Sequence, residues 1–533
     1  MGRVEKPSYL RAVGIAESVT DQVTDFSASS ANRRSSKGLE SEENRPNPGP
    51  PTSCLLPLAM KLFFAGQWHD RDAKIEVRHP YDNSLVDTVP QASAADAEAG
   101  IAAAVEGAAI MRKLPAFERF GILRRAADAM LARQQELGRL ISLEEGKTLA
   151  EGIYEAGRAA ETMELSAEEA KRLGGEVLPL DGAPGGAGKL GFTLRIPCGV
   201  VVAITPFNFP LNLVCHKVGP ALAAGNAVIV KPASDTPLSA LKLVEILLEA
   251  GLPPLAIACL TGSGGELGQA LCSDERVRKI TFTGSVEVGK QICAIAGLKR
   301  VTMELGSNSP LVVLPDADLA KVADAVLASG YGNAGQVCIS TQRVIALDRV
   351  YPDLLDVLAP RVAALTVGNP LAEGTRVGPM IRERDAIRVA QWIDEAVGQG
   401  ARLVAGGTRA GTLVAPALVA DVRPDMRIAC DELFGPAVGV TAAASIDEAI
   451  ALAGDSRYGL SAGIFTQDID AALAFARKVD AGNLHINWGP MWRADLMPYG
   501  GLKESGLGKE GPRYAIEEMT EMKTVVIHSS LNS

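Results

Sequence analysis

The sequence predicts an α/β protein carrying a doubly wound parallel sheet, and three observations predict it. From Val200 onward, short β-rich runs alternate with helical patterns, the signature of βαβ units. A second alternating series begins near Asp316 and runs past Gly482. The chain has 533 residues, and single cores stop growing at roughly 250–300 residues, so more than one domain is expected.

The elements follow in chain order. Residues 1–59 are rich in Ser, Pro and charge ("DFSASSANRRSSKGLESEENRPNPGPPTSC") and lack apolar periodicity, so they are expected to be a disordered extension. Glu5, Glu17, Asp21 and Asp25 speak against a transit peptide, which is poor in acids. Met60 is an alternative natural start, because "MKLFFAGQW" opens a strand-like run at once. "SAADAEAGIAAAVEGAAIMRKL" and "AFERFGILRRAADAMLARQQELGRLISLEEG" place apolar residues three and four apart and read as two long helices. A third runs from Thr148 to Leu173 and ends at Gly174 and Gly175. "GEVLPLDGAPGGAGKLGFTLRIP" then reads as extended segments around a Gly-rich turn. "GVVVAITP", "AVIVKPA", "AIACLTG", "KITFTG", "RVTMELG" and "SPLVVLP" are strands, separated by the helices "SALKLVEILLEAG", "GELGQALCSD" and "SVEVGKQICAIAG". "EMTEMKTVVIH" closes the chain with one more strand.

A net charge of −10 with no Lys/Arg block excludes nucleic acid as a partner. The eight cysteines include no CxxC pair and the five histidines form no HExxH, so neither a disulfide scaffold nor a zinc site is expected. Scattered free thiols suit a reducing cytoplasm. No run of about 18 uninterrupted apolar residues exists, so no membrane span is expected.

The one literal GxGxxG, "GLGKEG" at Gly506, Gly508 and Gly511, follows no strand and leaves too little chain for a βαβ unit. It reads as a loop before the "PRYAIEEM" helix, so any dinucleotide must be held by another device. Four other stretches carry candidate chemistry. "ITPFNFPLN" holds Asn208 between Pro206 and Pro210, an amide donor at a strand's carboxyl end and equally a structural turn. In "VIVKPASDTPLSA", Lys231 is a cation suited to ribose or phosphate. In "KITFTGSVEVGK", Gly284 and Ser285 open a helix whose free N–H groups suit an anion. In "TMELGSNSP", Glu304 is a carboxylate in apolar company, whose raised pKa suits a general base. Each alone also fits an ordinary βα loop or rim ion pair. A fifth stretch, "YGNAGQVCIS", sets Cys338 among small and apolar residues, where a lone thiol is ordinarily inert.

As a set, in this order, these stretches resemble the aldehyde dehydrogenase superfamily from Met60 to His528. The C-terminal run "MPYGGLKESGLGKEGPRYAIEEMTEMKTVVI" is most similar to the branch of lactaldehyde, non-phosphorylating glyceraldehyde-3-phosphate and phosphonoacetaldehyde dehydrogenases. The resemblance implies a Rossmann-type cofactor domain (60–173 and 198–306), an α/β catalytic domain (307–518) and a small β oligomerisation arm (174–197 and 519–528). It also implies a homodimer or homotetramer. It makes Cys338 the nucleophile, Asn208 an oxyanion donor, Glu304 the base for thioester hydrolysis, and Lys217 and Glu510 a proton relay. It places NADP or NAD on Thr205, Pro206, Phe207, Lys231, Ser234, Gly284, Ser285, Glu432 and Phe434. NAD-strict relatives carry Glu where this chain has Ser234, so NADP is expected to be accepted. The substrate funnel is expected at Asn212, His216, Gly332, Val337, Ile339 and the "INWGPMWRAD" loop. Arg493 there meets a negative or hydroxylated tail, or else pairs with Asp495 at the rim. Relatives that bind phosphate carry Arg where this chain has Val337, which favours a small hydroxyaldehyde such as lactaldehyde or glycolaldehyde. The competing readings are a phosphate- or phosphonate-bearing aldehyde, a CoA-acylating semialdehyde dehydrogenase, and a catalytically silent binding protein.

Overall fold

The computed structural model describes residues 60–528; the extension expected to be disordered, 1–59, lies outside them. Two large sheets organise the described chain. In the first, five parallel strands run in the order Ile257–Cys259, Ala227–Lys231, Val200–Ile204, Val277–Thr283, Arg300–Glu304. Val200–Ile204 and Ala227–Lys231 are buried along their whole length, because helices cover both faces of the sheet. Leu62–Phe64 and Gln67–His69 extend one edge, and Gly506–Leu507 pairs antiparallel with Arg300–Glu304 at the other.

The register decides where the chemistry sits. Ile204 lies opposite both Lys231 and Phe282, and Thr283 opposite Glu304. The carboxyl ends of four strands therefore open onto one edge, where α/β sheets bind ligands. The second sheet has six parallel strands, Ala417–Ala420, Ala437–Ala443, Arg343–Leu347, Pro310–Val313, Ser461–Phe465 and Asn483–Ile486, with Arg402–Ala405 antiparallel at one edge. A third, three-stranded sheet pairs Thr520–His528 with Lys189–Pro197 over nine residues and adds Val177–Leu178. Its side chains Val177, Leu190, Leu194, Met522 and Ile527 are exposed.

Most predicted elements form. Ser93 with Asp96, and Thr148 with Glu151, close capping boxes that start two helices. The segment expected as one helix from Ala116 to Gly146 breaks at Arg133 into Ala116–Ala132 and Gln134–Glu145. The bend seats Gly138 against the next helix, Leu149–Ala170, so closely that a Cβ there would lie 2.5 Å from Ile153 Cα. "GLGKEG" is a backbone-packing device: a Cβ on Gly506 would come within 2.1 Å of the Met303 carbonyl. Contrary to the expected loop, its first two residues form the edge strand. Among the described residues no helix is long and apolar enough to cross a membrane.

Candidate active site

Cys338 is delivered by a strained loop. Asn333, Ala334 and Gly335 take successive φ values of 49°, 52° and 69°, a left-handed run that non-glycine residues adopt only when held. The hold is visible. The Asn333 N–H donates to Glu151 (2.7 Å), and its side-chain amide donates to Glu145 (3.0 Å) and to the Asn208 carbonyl (3.2 Å). Gln336 accepts from the Ile381 N–H at 2.9 Å. The absence of a side chain at Gly335 serves the backbone: a Cβ would lie 2.1 Å from the Gly435 carbonyl.

Cys338 is half-buried, with its sulfur 3.2 Å from the Tyr499 hydroxyl. Burial pushes the thiol up to about 12, against the Tyr499 hydrogen bond. Asn208 is buried and donates one amide N–H to the Gln336 carbonyl at 2.8 Å, which leaves its second N–H without an acceptor among the described residues. Glu304 is buried, and neither carboxylate oxygen has a partner among the described residues. Burial raises its pKa well above the carboxylate range, and the neighbouring Glu510 adds to the rise. Glu510 moves the other way. Burial alone would raise it, but Lys217 at 2.7 Å and Arg493 at 3.4 Å hold it down to about 2.

The helix Leu149–Ala170 contributes a buried cluster that sequence reasoning missed. Lys147, just before it, donates 2.7 Å hydrogen bonds to Glu155 and to the Asn208 carbonyl. Glu155 in turn accepts from the N–H groups of Leu211 (3.0 Å) and Asn212 (3.1 Å), capping the helix Asn212–Ala223 that carries Lys217. The spacing Glu151, Glu155, Arg158 puts three charges on one face of the helix, with Lys147 four residues ahead of Glu151 just before its start, a signal that could have found them.

A groove of about 1040 Å³ runs along the carboxyl edge of the first sheet. It is lined by Thr205, Pro206, Phe207, Lys231, Ser234, Gly284, Ser285, Glu432 and Phe434, the whole set expected to hold a dinucleotide, and reaches Asn208, Glu304 and Cys338. The buried Thr205 and Thr283 hydroxyls along it also lack partners among the described residues, which fits a polar ligand. Burial brings Lys231 down to about 8, against the pull of Asp235. Glu432 accepts from the Ser307 N–H at 3.0 Å, and Phe434 meets Phe207 edge to face at 5.9 Å. The Ser234 hydroxyl donates to the Gly262 carbonyl (2.9 Å), so Ser234 offers the groove lone pairs rather than a proton.

A second chamber, about 300 Å³, lies on the other side of Cys338. Asn212, Gly332, Val337, Ile339 and Arg493 line it as expected, together with Phe209, Trp488, Met491, Trp492 and Tyr499. It shares with the groove only Leu213, Thr283, Glu304 and Cys338. Two expectations fail here. His216 does not line the chamber; it is fully buried behind it, its Nε2 2.8 Å from Asp495 and its Nδ1 3.3 Å from Arg493. Arg493 does not pair with Asp495 but with Glu510, and stacks over Tyr499 at 3.8 Å. Asp495 is no rim residue. It is buried, and although burial opposes ionisation, His216 and a bidentate Arg158 hold it well below the usual carboxylate range.

Comparisons with known proteins agree on one family. The 3-sulfolactaldehyde dehydrogenase of Priestia aryabhattai is 45% identical, over 88% of this chain and 98% of that protein. The crystal structure of aldehyde dehydrogenase 21 from Physcomitrella patens, in complex with the reaction product succinate, superposes with a TM-score of 0.87 at 36% identity, over 90% of this chain and 100% of that one. The NADP complex of an NADP-dependent glyceraldehyde-3-phosphate dehydrogenase from Bacillus halodurans gives 0.86 at 35% identity, over 88% and 99%. The model of the aldehyde dehydrogenase family matches residues 68–525. The chain belongs to that family and is an NAD(P)-dependent aldehyde dehydrogenase.

Proposed function

We propose that this dehydrogenase oxidises a small 2-hydroxyaldehyde, of the lactaldehyde or glycolaldehyde kind, to its carboxylic acid. The observation that carries the reading is the Arg493 Nε, buried and without a hydrogen-bond partner among the described residues, beside a chamber of only about 300 Å³. A hydroxyl or small anion on a short substrate satisfies it. Val337, where a phosphate-binding relative would carry Arg, argues against a phosphorylated tail.

In this reading the Cys338 sulfur attacks the carbonyl carbon. Burial keeps the thiol protonated at neutral pH, so its proton leaves to water in the chamber as the bond forms, and Glu304 stays free for the later step. The free Asn208 N–H and the Cys338 backbone N–H stabilise the thiohemiacetal oxyanion, each donor being worth roughly 3 kcal/mol of barrier. A bound NAD(P) supplies the hydride acceptor. Glu304, its pKa raised, then takes a proton from the water that hydrolyses the thioester. Glu510 and Lys217, 2.7 Å apart, lead that proton away. Ser234 leaves room for NADP. A kcat/KM for NADP a hundredfold below that for NAD would sink that part.

The exposed side chains of the three-stranded sheet support a homodimer or homotetramer closing over that edge. A panel of aldehydes scored by NADPH and NADH production, with and without CoA, tests the substrate. The highest kcat/KM is expected among non-phosphorylated 2-hydroxyaldehydes, without CoA. Preference for hexanal or benzaldehyde would refute the substrate reading, and strict CoA dependence the hydrolytic one.

A further inference from the structure

In the groove near Lys231, a carboxylate and a guanidinium sit where neither the fold nor the chemistry so far requires them. Asp235 follows Ser234 directly, and both line the groove. A bare carboxylate there would repel a second phosphate, as a Glu at Ser234 itself would. It is not bare. Arg382 grips it with both arms of the fork, Nε to Oδ1 at 2.8 Å and Nη2 to Oδ2. Arg382 comes from the far wall, at the start of the helix Glu383–Gly398, and lines the groove too. The fork leaves its Nη1 with no hydrogen bond among the described residues. Lys231 adds a second cation, its Nζ 3.8 Å from where a Cβ on Gly264 would stand. Gly264 opens a ten-residue helix whose Ser263 cap makes no side-chain hydrogen bond, so its first N–H groups remain available to an anion.

We propose that Arg382 is a specificity-determining residue for the cofactor: held by Asp235 and cancelling its charge, it turns Nη1 toward the 2′-phosphate of NADP and completes, with Lys231 and the Gly264 helix start, an acceptor for that group. This rests on the reading that NADP is accepted. It adds that acceptance depends on an ion pair joining residues 147 positions apart, and not on the neutrality of Ser234 alone.

The experiment measures binding of 2′,5′-ADP and 5′-AMP to the full chain by calorimetry, since the two probes differ only in the 2′-phosphate. The ratio of their dissociation constants reads the phosphate contribution directly. In R382Q the preference for 2′,5′-ADP should fall at least tenfold, and the kcat/KM ratio of NADP to NAD should fall in step. In D235N/R382Q, where no carboxylate is left uncovered, the preference should recover at least threefold over R382Q. A preference in R382Q within twofold of the parent overturns the proposal, and a double variant as poor as R382Q overturns the charge-cancelling role. If the parent itself binds 2′,5′-ADP no better than 5′-AMP, the NADP reading fails and the proposal with it.

Discussion

Replacing Lys147 with Met tests how the Asn208 loop is held. Met keeps the length and apolar stem but deletes an ammonium that makes two 2.7 Å hydrogen bonds and lies 4.0 Å from the Phe209 ring centre. Glu155 is left buried and unpaired, a class of change that costs about 3–5 kcal/mol. The lower end applies, because Glu155 keeps the N–H groups of Leu211 and Asn212, and the Asn208 carbonyl keeps Asn333 at 3.2 Å. A loss of about 3 kcal/mol is more than a hundredfold in the folding equilibrium. It is read as a lower urea midpoint at unchanged slope. The effect on catalysis has a ceiling: if Lys147 acts by placing Asn208, kcat falls by no more than loss of one oxyanion donor, about a hundredfold to a thousandfold. Steady-state kinetics on K147M, N208A and the double variant decide it. Adding K147M to N208A should cost less than threefold more in kcat, because both act on one donor. K147M/E155Q should regain stability, since no charge is then stranded, without regaining kcat. Fully multiplicative kcat losses, or a K147M enzyme within twofold of the parent, would refute the reasoning.

Other outcomes follow from the same geometry. C338A should abolish dehydrogenase activity, and full activity in it would remove the nucleophile assignment. E304Q should release a burst of reduced cofactor stoichiometric with active sites and then turn over about 10²–10⁴-fold slower; a linear time course at the parent rate would count against Glu304. Lys231 is charged below about 8 and neutral above it, so the affinity for 2′,5′-ADP should weaken as pH rises through that value, and a flat profile to pH about 9.5 would contradict its role. R493Q should raise KM for a 2-hydroxyaldehyde more than for propanal, its unsubstituted counterpart, and equal changes would remove Arg493 from substrate contact.

The strands were legible because strands buried on both faces are unbroken apolar runs, as in Val200–Ile204. Lys231, Gly284 and Glu304 were legible because each lies at or just past the end of such a run, so register gathers them, whereas Glu432 and Phe434, which precede the strand Ala437–Ala443, were placed by the family resemblance alone. What escaped was pairing over long sequence distance. His216 and Asp495 are 279 positions apart, and nothing local tells a buried His–Asp contact from a pocket wall. Arg493 met Glu510 instead of the nearer Asp495, because Arg158 and His216 already occupy that carboxylate. Beyond the break at Arg133, Gly138 and Gly152 meet across a helix pair, a packing fact with no signature in either helix alone. Tyr499 was passed over because a single Tyr in a Gly-rich run carries no periodicity.

The four residues common to groove and chamber have a kinetic meaning. Groove and chamber meet back to back at Leu213, Thr283, Glu304 and Cys338, so the protein works like a booth with a counter between two rooms. On the proposed reading, the aldehyde enters from one room and its acid leaves into the same room without passing the dinucleotide in the other. Narrowing one room at its far end therefore changes the traffic of one reactant only. On the same reading, the water that releases the acid also reaches the counter through one of the two rooms, so hydrolysis shares its entrance with one of the two reactants.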